Sequence, residues 1–367
     1  MTSRRHRDPE ERPVDWAGTL EREPVVFSAP CRVDMGGTLD IRSLFVPLAP
    51  FRPCTVNLAL ELRTTVRLEP HVRGRLRVSS RGFPGLDAPR ERMPFRHPLG
   101  LFFAAAAMFG ADGVHIRIDS ASPPRSGLGG SSVAAVALVR ALFEARRRAV
   151  GEGASPPDPA RVARIAQAIE EAVAGVPCGL QDQLAAACGG VNAWEWRAAD
   201  PAAPYRRRRL LAGAGAKRLE KSLLLAYLGV PHDSADVNGR WIRDFLAGRR
   251  RAAWQEIAAL SRDFAAALSR GDLPRAAEAM ARETAIRRRM TPEVVDGLGA
   301  RLLDAAGRRA CGARFTGAGA GGCLWALGPP EAIAGLAGEW AELLSRRPGA
   351  GLLPTRIARR GLLAERP

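Results

Sequence analysis

At 367 residues, with 46% hydrophobic and 25% charged side chains, the chain has a globular composition and enough length for two domains. No apolar run reaches membrane-spanning length, Leu101 to Phe109 being far too short, and the polar opening Met1–Arg12 lacks the apolar centre of a secretory signal. Six scattered cysteines (Cys31, Cys54, Cys178, Cys188, Cys311 and Cys323) form no Cys-x-x-Cys pair, which predicts reduced thiols, no zinc site and a cytoplasmic protein.

The net charge of +17 raises nucleic-acid binding as a reading. All but two of the 55 basic side chains (Lys217 and Lys221) are arginine, alongside abundant Ala, Gly and Pro, which points to a compositional bias of the source genome. The runs Arg146–Arg148, Arg206–Arg209, Arg249–Arg251 and Arg287–Arg289 lie apart and lack interleaved aromatics, so they are expected to be solvated surface rather than a nucleic-acid stripe. A basic field can still draw in an anionic substrate.

In chain order, residues 1–22 read as a flexible lead-in, followed by strands at 24–33, 55–68 and 75–80 and a Pro-rich loop over 82–98. A short helix over 99–108 precedes a strand at 113–119, where Gly113-Val-His-Ile-Arg-Ile-Asp119 alternates like a half-buried strand. A helix over 133–148 leads to a linker loop at 151–158 and a second helix over 159–174, opened by Asp158 and Pro159. A helix at 180–187 and a strand at 190–196 close the first half. The second half reads as a strand at 222–228, helices at 235–246, 252–269, 273–289 and 292–306, strands at 313–316 and 323–326, a helix at 330–345 and a last strand at 354–359. Helices and strands without regular βαβ alternation predict an α+β fold.

Between the strand at 113–119 and its following helix lies Ser122-Pro-Pro-Arg-Ser-Gly-Leu-Gly-Gly-Ser-Ser132. A glycine-rich loop at a helix N-terminus offers unpaired N–H groups and the positive end of the helix dipole, so a nucleotide phosphate is the natural guest. It is not a Walker A loop, because no Gly-Lys-Ser/Thr follows. Taken with Phe27-Ser-Ala-Pro-Cys-Arg-Val-Asp-Met-Gly-Gly-Thr-Leu-Asp40, Pro177-Cys-Gly-Leu-Gln-Asp-Gln183 and Phe315-Thr-Gly-Ala-Gly-Ala-Gly-Gly-Cys323, it resembles, in the same order, the motifs of the GHMP kinases, and most closely their heptose, fucose and galactose branch.

That resemblance implies a two-domain GHMP kinase fold with the active site in the cleft, an N-terminal ATP-binding domain over 23–200 and a C-terminal domain over 201–367. It implies ATP and Mg²⁺, with Pro124, Ser126, Gly127, Leu128, Gly129, Gly130, Ser131 and Ser132 at the nucleotide. Ser131 would be a metal ligand with Ser132 its capping neighbour, and Glu170, ahead of its competitor Glu171, the second ligand. Asp182 resembles the catalytic aspartate of the family, and Arg32 the arginine beside it and the transferring phosphate. Asp34, Gly36, Gly37, Asp40, Gly317 and Gly319, together with Asp182, are expected to bind substrate, with Asn57 beside them. Gln181 and Gln183 are read as packing or sugar-contacting neighbours, and His232 stands near a basic position of the heptose kinases.

The spacer from Arg32 to Asp40 is one residue shorter than in galactokinase or heptose kinase, and Ala320 replaces a glycine of the third motif. The reading is a cytoplasmic, Mg²⁺-dependent sugar kinase, monomer or homodimer, with ATP and a small sugar as partners and no nucleic acid or membrane. A kinase for a small alcohol such as mevalonate, or a non-catalytic ligand-binding protein on the same fold, are the alternatives.

Overall fold

Asp15 caps α1 (Trp16–Arg22) by accepting a hydrogen bond from the Gly18 amide at 3.2 Å, and Trp16 and Leu20 are buried. Part of the expected lead-in is therefore an anchored helix, because its apolar side chains have a core to enter. The computed structural model describes residues 14–151, 155–175, 177–200, 204–231 and 235–366. Residues 1–13 of the expected lead-in, 152–154 of the expected linker and His232 lie outside the described residues.

The strand β1 (Val25–Met35) is buried along its whole length, as suits the middle of a sheet. After α2 (Arg42–Phe45) come β2 (Cys54–Pro70), β3 (Arg75–Ser80), β4 (Phe83–Pro89), α3 (Gly100–Met108) and β5 (Val114–Ser120). The helices α4 (Gly130–Val150), α5 (Pro159–Ala174) and α6 (Gln181–Cys188) follow, then β6 (Val191–Trp196) and β7 (Tyr205–Leu211). Next are α7 (Gly213–Leu219), β8 (Leu223–Tyr227), α8 (Ala235–Leu246), α9 (Arg251–Arg270), α10 (Leu273–Met290) and α11 (Gly297–Arg308). The chain finishes with β9 (Gly312–Phe315), β10 (Cys323–Leu327), α12 (Pro330–Ser345), β11 (Gly351–Leu353) and β12 (Leu363–Ala364).

The first sheet runs β12-β1-β2-β5-β3-β4, with β6 joined to the first half of β2 and β7 joined to β6. Among the described residues only β3 and β5 pair in parallel in this sheet; the other neighbours are antiparallel. The second sheet is antiparallel, in the order β11-β8-β10-β9. Because β7 and β12 both enter the first sheet, the sheets do not divide at residue 200. The helix α4 packs on β1 and β2 and against α5 and α6, while α10 lies beside α9 and covers β9. No helix among the described residues is long and apolar enough to cross a membrane.

Four local expectations are corrected. The Pro-rich stretch holds β4, which pairs with β3 at the sheet's edge, where proline's missing donor costs no ladder bond. A strand was not expected at Tyr205–Leu211, since four consecutive arginines show no alternation. There Arg206 and Arg208 reach Glu195 at 2.8 and 3.2 Å and Arg207 lies over Trp194, so β7 is a charged edge strand. The helix expected over 292–306 is a single turn at Pro292–Val294 and then α11, restarted by Asp296, which accepts from the Gly299 amide at 2.8 Å. The last expected strand reduces to one bridge between Ile357 and Leu60, the regular pairing falling instead on β11 and β12.

Candidate active site

The loop between β5 and α4 turns at Gly127 (φ 73°) and Gly129 (φ 80°), a region that side chains strain to enter. A Cβ on Gly127 would lie 2.7 Å from Thr316 Oγ1. Gly129 is the N-cap of α4 and supplies no side-chain cap. The expectation that Ser132 caps this helix is corrected: its hydroxyl donates to Glu170 Oε2 at 2.7 Å, and Ser131 donates to Glu170 Oε1 at 3.0 Å. No side-chain cap therefore stands in front of the first amides of α4, which begins at Gly130 rather than 133. Ser126 and Leu128 are buried in the loop, while Pro124 is exposed on it.

The second glycine loop, between β9 and β10, closes on the first. Thr316 donates to the Ser126 carbonyl at 3.3 Å, and a Cβ on Gly322 (φ 76°) would lie 2.5 Å from that same oxygen. Gly322→Ala is therefore expected to lower stability by about 1–3 kcal/mol, through overpacking and a strained φ. Thermal unfolding checks this; an unchanged Tm would mean that the two loops are not in contact.

Arg32, on β1, reaches this junction. Its guanidinium donates through Nε and Nη2 to the two carboxylate oxygens of Asp182, at 2.7 and 2.8 Å, and through Nη1 to the Gly127 carbonyl at 2.7 Å. Burial works against that charge, and Asp182 and Asp34 overcome it, holding Arg32 above its usual range. Asp182 sits in the first turn of α6, where the dipole suits a carboxylate, and its side chain is 22% exposed while that of Arg32 is 4% exposed. The pair thus joins a nearly buried cation to a carboxylate open to a reactant.

Asp40 is brought to the same place. Its Oδ2 accepts from the Gln181 amide at 3.0 Å, and Gln181 in turn accepts from Asn57 Nδ2 at 3.0 Å. Burial, and then the charge of Asp182, push the Asp40 carboxyl up to about 7. An unfolded aspartate titrates at about 4, so the folded chain holds an extra proton between those values and loses stability as pH rises through them. Asp40→Asn removes that slope: relative to wild type, the variant should gain on the order of a few kcal/mol between pH 4 and pH 8. Denaturant unfolding at the two pH values reads it, and an equal difference at both would sink the assignment.

Asp34 departs from its expected role. It is fully buried, with Oδ1 accepting from the Gly317 amide and Oδ2 from Arg314 Nη1, both at 2.9 Å. It therefore has no exposed oxygen to offer a sugar, and its carboxyl is held below the usual range by Arg314 and Arg32 against the effect of burial. Gly36 and Gly37 make room around it: a Cβ on Gly37 would collide with Asp34 Oδ2 and one on Gly36 with Ser261. Gly319 (φ 80°) lies beyond Gly317 in the second glycine loop.

Three members of the surrounding network were missed from sequence. Arg314 Nε donates to Glu283 Oε2 at 3.0 Å, and Arg287 Nε to Glu283 Oε1 at 2.5 Å, all three side chains being fully buried. Arg287 lies against the rings of both Trp241 and Trp254, its guanidinium carbon 4.9 and 5.1 Å from their centroids, which overturns the surface expectation for the run Arg287–Arg289 at this residue. The available signal was a Glu and an Arg four residues apart on the apolar face that also carries Met280 and Met290.

A hard divalent cation prefers oxygen donors and keeps several waters or phosphate oxygens. The Ser131 hydroxyl and Glu170 carboxylate fit that chemistry, while Glu171 turns away to the Cys178 amide at 3.3 Å. Burial pushes the Glu170 carboxyl up, with Asp182 adding to the push, so a cation here would relieve both. Gln183 donates to Glu170 at 2.7 Å and leaves its own buried Oε1 without a partner. Among the described residues no group of three or more His, Cys, Asp or Glu gathers as a protein-only metal cage.

Residues 99–190 match the family described as the GHMP kinases N terminal domain. In structure the chain is similar to a D-glycero-D-manno-heptose 1-phosphate kinase from Bacteroides thetaiotaomicron (TM-score 0.68, 18% identity, 93% of this chain and 99% of that one). It is similar also to Lactococcus lactis galactokinase complexed with galactose (TM-score 0.69, 15% identity, 95% and 97%). The Methanococcus jannaschii mevalonate kinase gives a TM-score of 0.66 at 15% identity over 91% and 98%. No curated protein matches the chain. These likenesses establish the GHMP kinase fold.

Proposed function

We propose that the chain is a GHMP kinase and, on that premise, an ATP-dependent sugar kinase, transferring the γ-phosphoryl group to a sugar hydroxyl. The observation that carries this reading is the two-pronged Arg32–Asp182 pair at the mouth of the glycine loop, with Asp40 beside it. Phosphoryl transfer needs a phosphate cradle, an orienting group for the acceptor and positive charge at the transferring group. The amides of the Gly127–Ser132 turn supply the cradle. Asp182 receives the proton of the acceptor hydroxyl as its oxygen bonds to the γ-phosphorus and the bond to the β-phosphate oxygen breaks. Arg32 fixes the two oxygens of Asp182 and spreads charge over the phosphoryl group. Asp40 accepts from sugar hydroxyls. Mg²⁺ held by Ser131 and Glu170 would neutralise charge on the phosphate oxygens when bound.

An anomeric hydroxyl of a heptose-, fucose- or galactose-like sugar is the proposed acceptor, giving a sugar 1-phosphate in the cytoplasm. The test is ADP release with ATP and Mg²⁺ against free and phosphorylated heptoses, fucose, galactose, mannose and mevalonate. Turnover with one sugar is the expected result. Turnover with mevalonate alone would move the reading to a small-alcohol kinase, and ATP binding without any turnover would leave a binding protein on a kinase fold.

A further inference from the structure

The Arg32–Asp182 pair is the exposed end of a buried row of alternating charges: Asp182, Arg32, Asp34, Arg314, Glu283 and Arg287. The row leaves β1, crosses to β9 in the second sheet and ends on α10. Six ionisable groups are costly to bury unless each is paired, so the order of partners fixes which contacts each can make.

We propose that Arg314 and Glu283 are positioning residues for the phosphoryl transfer, an inference that rests on the sugar kinase reading above. Their task is to keep Asp34 from competing for Arg32. The contest is over the position of the guanidinium, since Nη1 carries two hydrogens. Arg32 Nη1 donates to the Gly127 carbonyl at 2.7 Å, and Asp34 Oδ1 stands only 3.5 Å from it. Asp34 stays at that distance because Arg314 takes its Oδ2 at 2.9 Å and the Gly317 amide takes its Oδ1. Without Arg314, a fully buried carboxylate would be left with one backbone donor. Its nearest replacement cation is Arg32, and a shift of less than about 1 Å closes a full hydrogen bond. That shift draws the guanidinium away from the phosphate loop and turns the carboxylate of Asp182.

Glu283 fixes Arg314 in turn. It accepts from Arg314 Nε, while Nη1 also bonds the Phe315 carbonyl at 2.7 Å and the guanidinium lies 5.0 Å from the Phe315 ring. The other oxygen of Glu283 holds Arg287, whose Nη2 donates to the Gly37 carbonyl at 2.6 Å and whose Nη1 reaches Thr38 Oγ1 at 3.4 Å. Thr38 has φ 76°, an outlier for a β-branched residue, and these bonds hold that turn ahead of Asp40. One carboxylate on α10 thereby sets both Arg314, which occupies Asp34, and the turn ahead of Asp40.

The test is steady-state kinetics and ATP binding for Arg314→Met, Arg314→Lys and Glu283→Gln, with a crystal structure of each variant that folds. Arg314→Met should lower kcat about 10–100-fold, the effect of misplacing reacting groups by an ångström, with the ATP dissociation constant within about threefold of wild type. Arg314→Lys should recover most of kcat, since it restores the cation facing Asp34. Glu283→Gln should resemble Arg314→Met more weakly, and it carries the test if Arg314→Met does not fold. The structures need no turnover. In Arg314→Met or Glu283→Gln, Arg32 Nη1 should close on Asp34 from its present 3.5 Å and release the Gly127 carbonyl. An unmoved Arg32, or a lysine variant no more active than the methionine one at equal Tm, would overturn the positioning role. Wild-type enzyme inactive on every acceptor would instead overturn the kinase reading, leaving the crystallographic arm to decide this inference.

Discussion

Replacing Asp182 by Asn is expected to cut kcat by about 10²–10⁴-fold, the usual contribution of a positioned general base. The substitution keeps the shape of the side chain and one acceptor for Arg32, but removes the carboxylate proposed to receive the hydroxyl proton. ATP binding should persist, because the proposed nucleotide cradle is the backbone of Gly127–Ser132 at the start of α4 rather than the Asp182 side chain. Isothermal titration with a non-hydrolysable ATP analogue and ADP release at saturating sugar separate the two effects. Wild-type turnover in the variant would remove Asp182 from the reaction. Loss of nucleotide binding together with turnover would mean that the Asp182–Arg32 pair holds the loop itself, through the Gly127 carbonyl.

The largest effect on stability is expected at Glu283, a residue with no exposure and two arginines on its oxygens. Burial alone would raise its pKa, yet Arg287 and Arg314 hold it below the ordinary value, so the carboxylate is charged and fully engaged. Glu283→Ala leaves two buried guanidinium groups facing each other across a small void. Removing one partner of a buried ion pair costs about 3–5 kcal/mol. In a chain of this size that corresponds to a fall in Tm of roughly 5 °C. Denaturant unfolding measures it, and a loss under about 1 kcal/mol would place these charges in contact with water.

Several local features near this candidate site are legible in the sequence. The glycine loop between an alternating strand and an Ala-rich helix is visible in any window containing residues 113–148. Asp158 followed by Pro159 marked the start of α5, and the structure has Asp158 accepting from the Arg161 amide at 2.9 Å. These features depend on neighbours within a turn or two, so local propensity and spacing contain them.

The errors have a common origin. Trp16 and Leu20 of α1, the proline-bearing β4 and the arginine-rich β7 look irregular alone and become ordered because a distant segment supplies a core or a ladder partner. Arg287 stands in a run of arginines and is expected in water; its place against two tryptophans depends on side chains that α8 and α9 bring to α10. Asp34 matched a motif and was expected to touch sugar, but Arg314, on a strand 280 positions further along, occupies it.

What the sequence by itself determined is therefore most of the elements and the glycine-rich loop, and it named Arg32, Asp40, Glu170 and Asp182 as candidates. Each lies in a short segment whose residue types state their chemistry. What only the tertiary structure decided is which charged groups face one another. Asp34 and Asp40 are six residues apart, and one is locked between Arg314 and an amide while the other is pushed up to about 7 beside Asp182. Burial and the charge of a partner fall off over a few ångströms of space, and separation along the chain does not fix that distance.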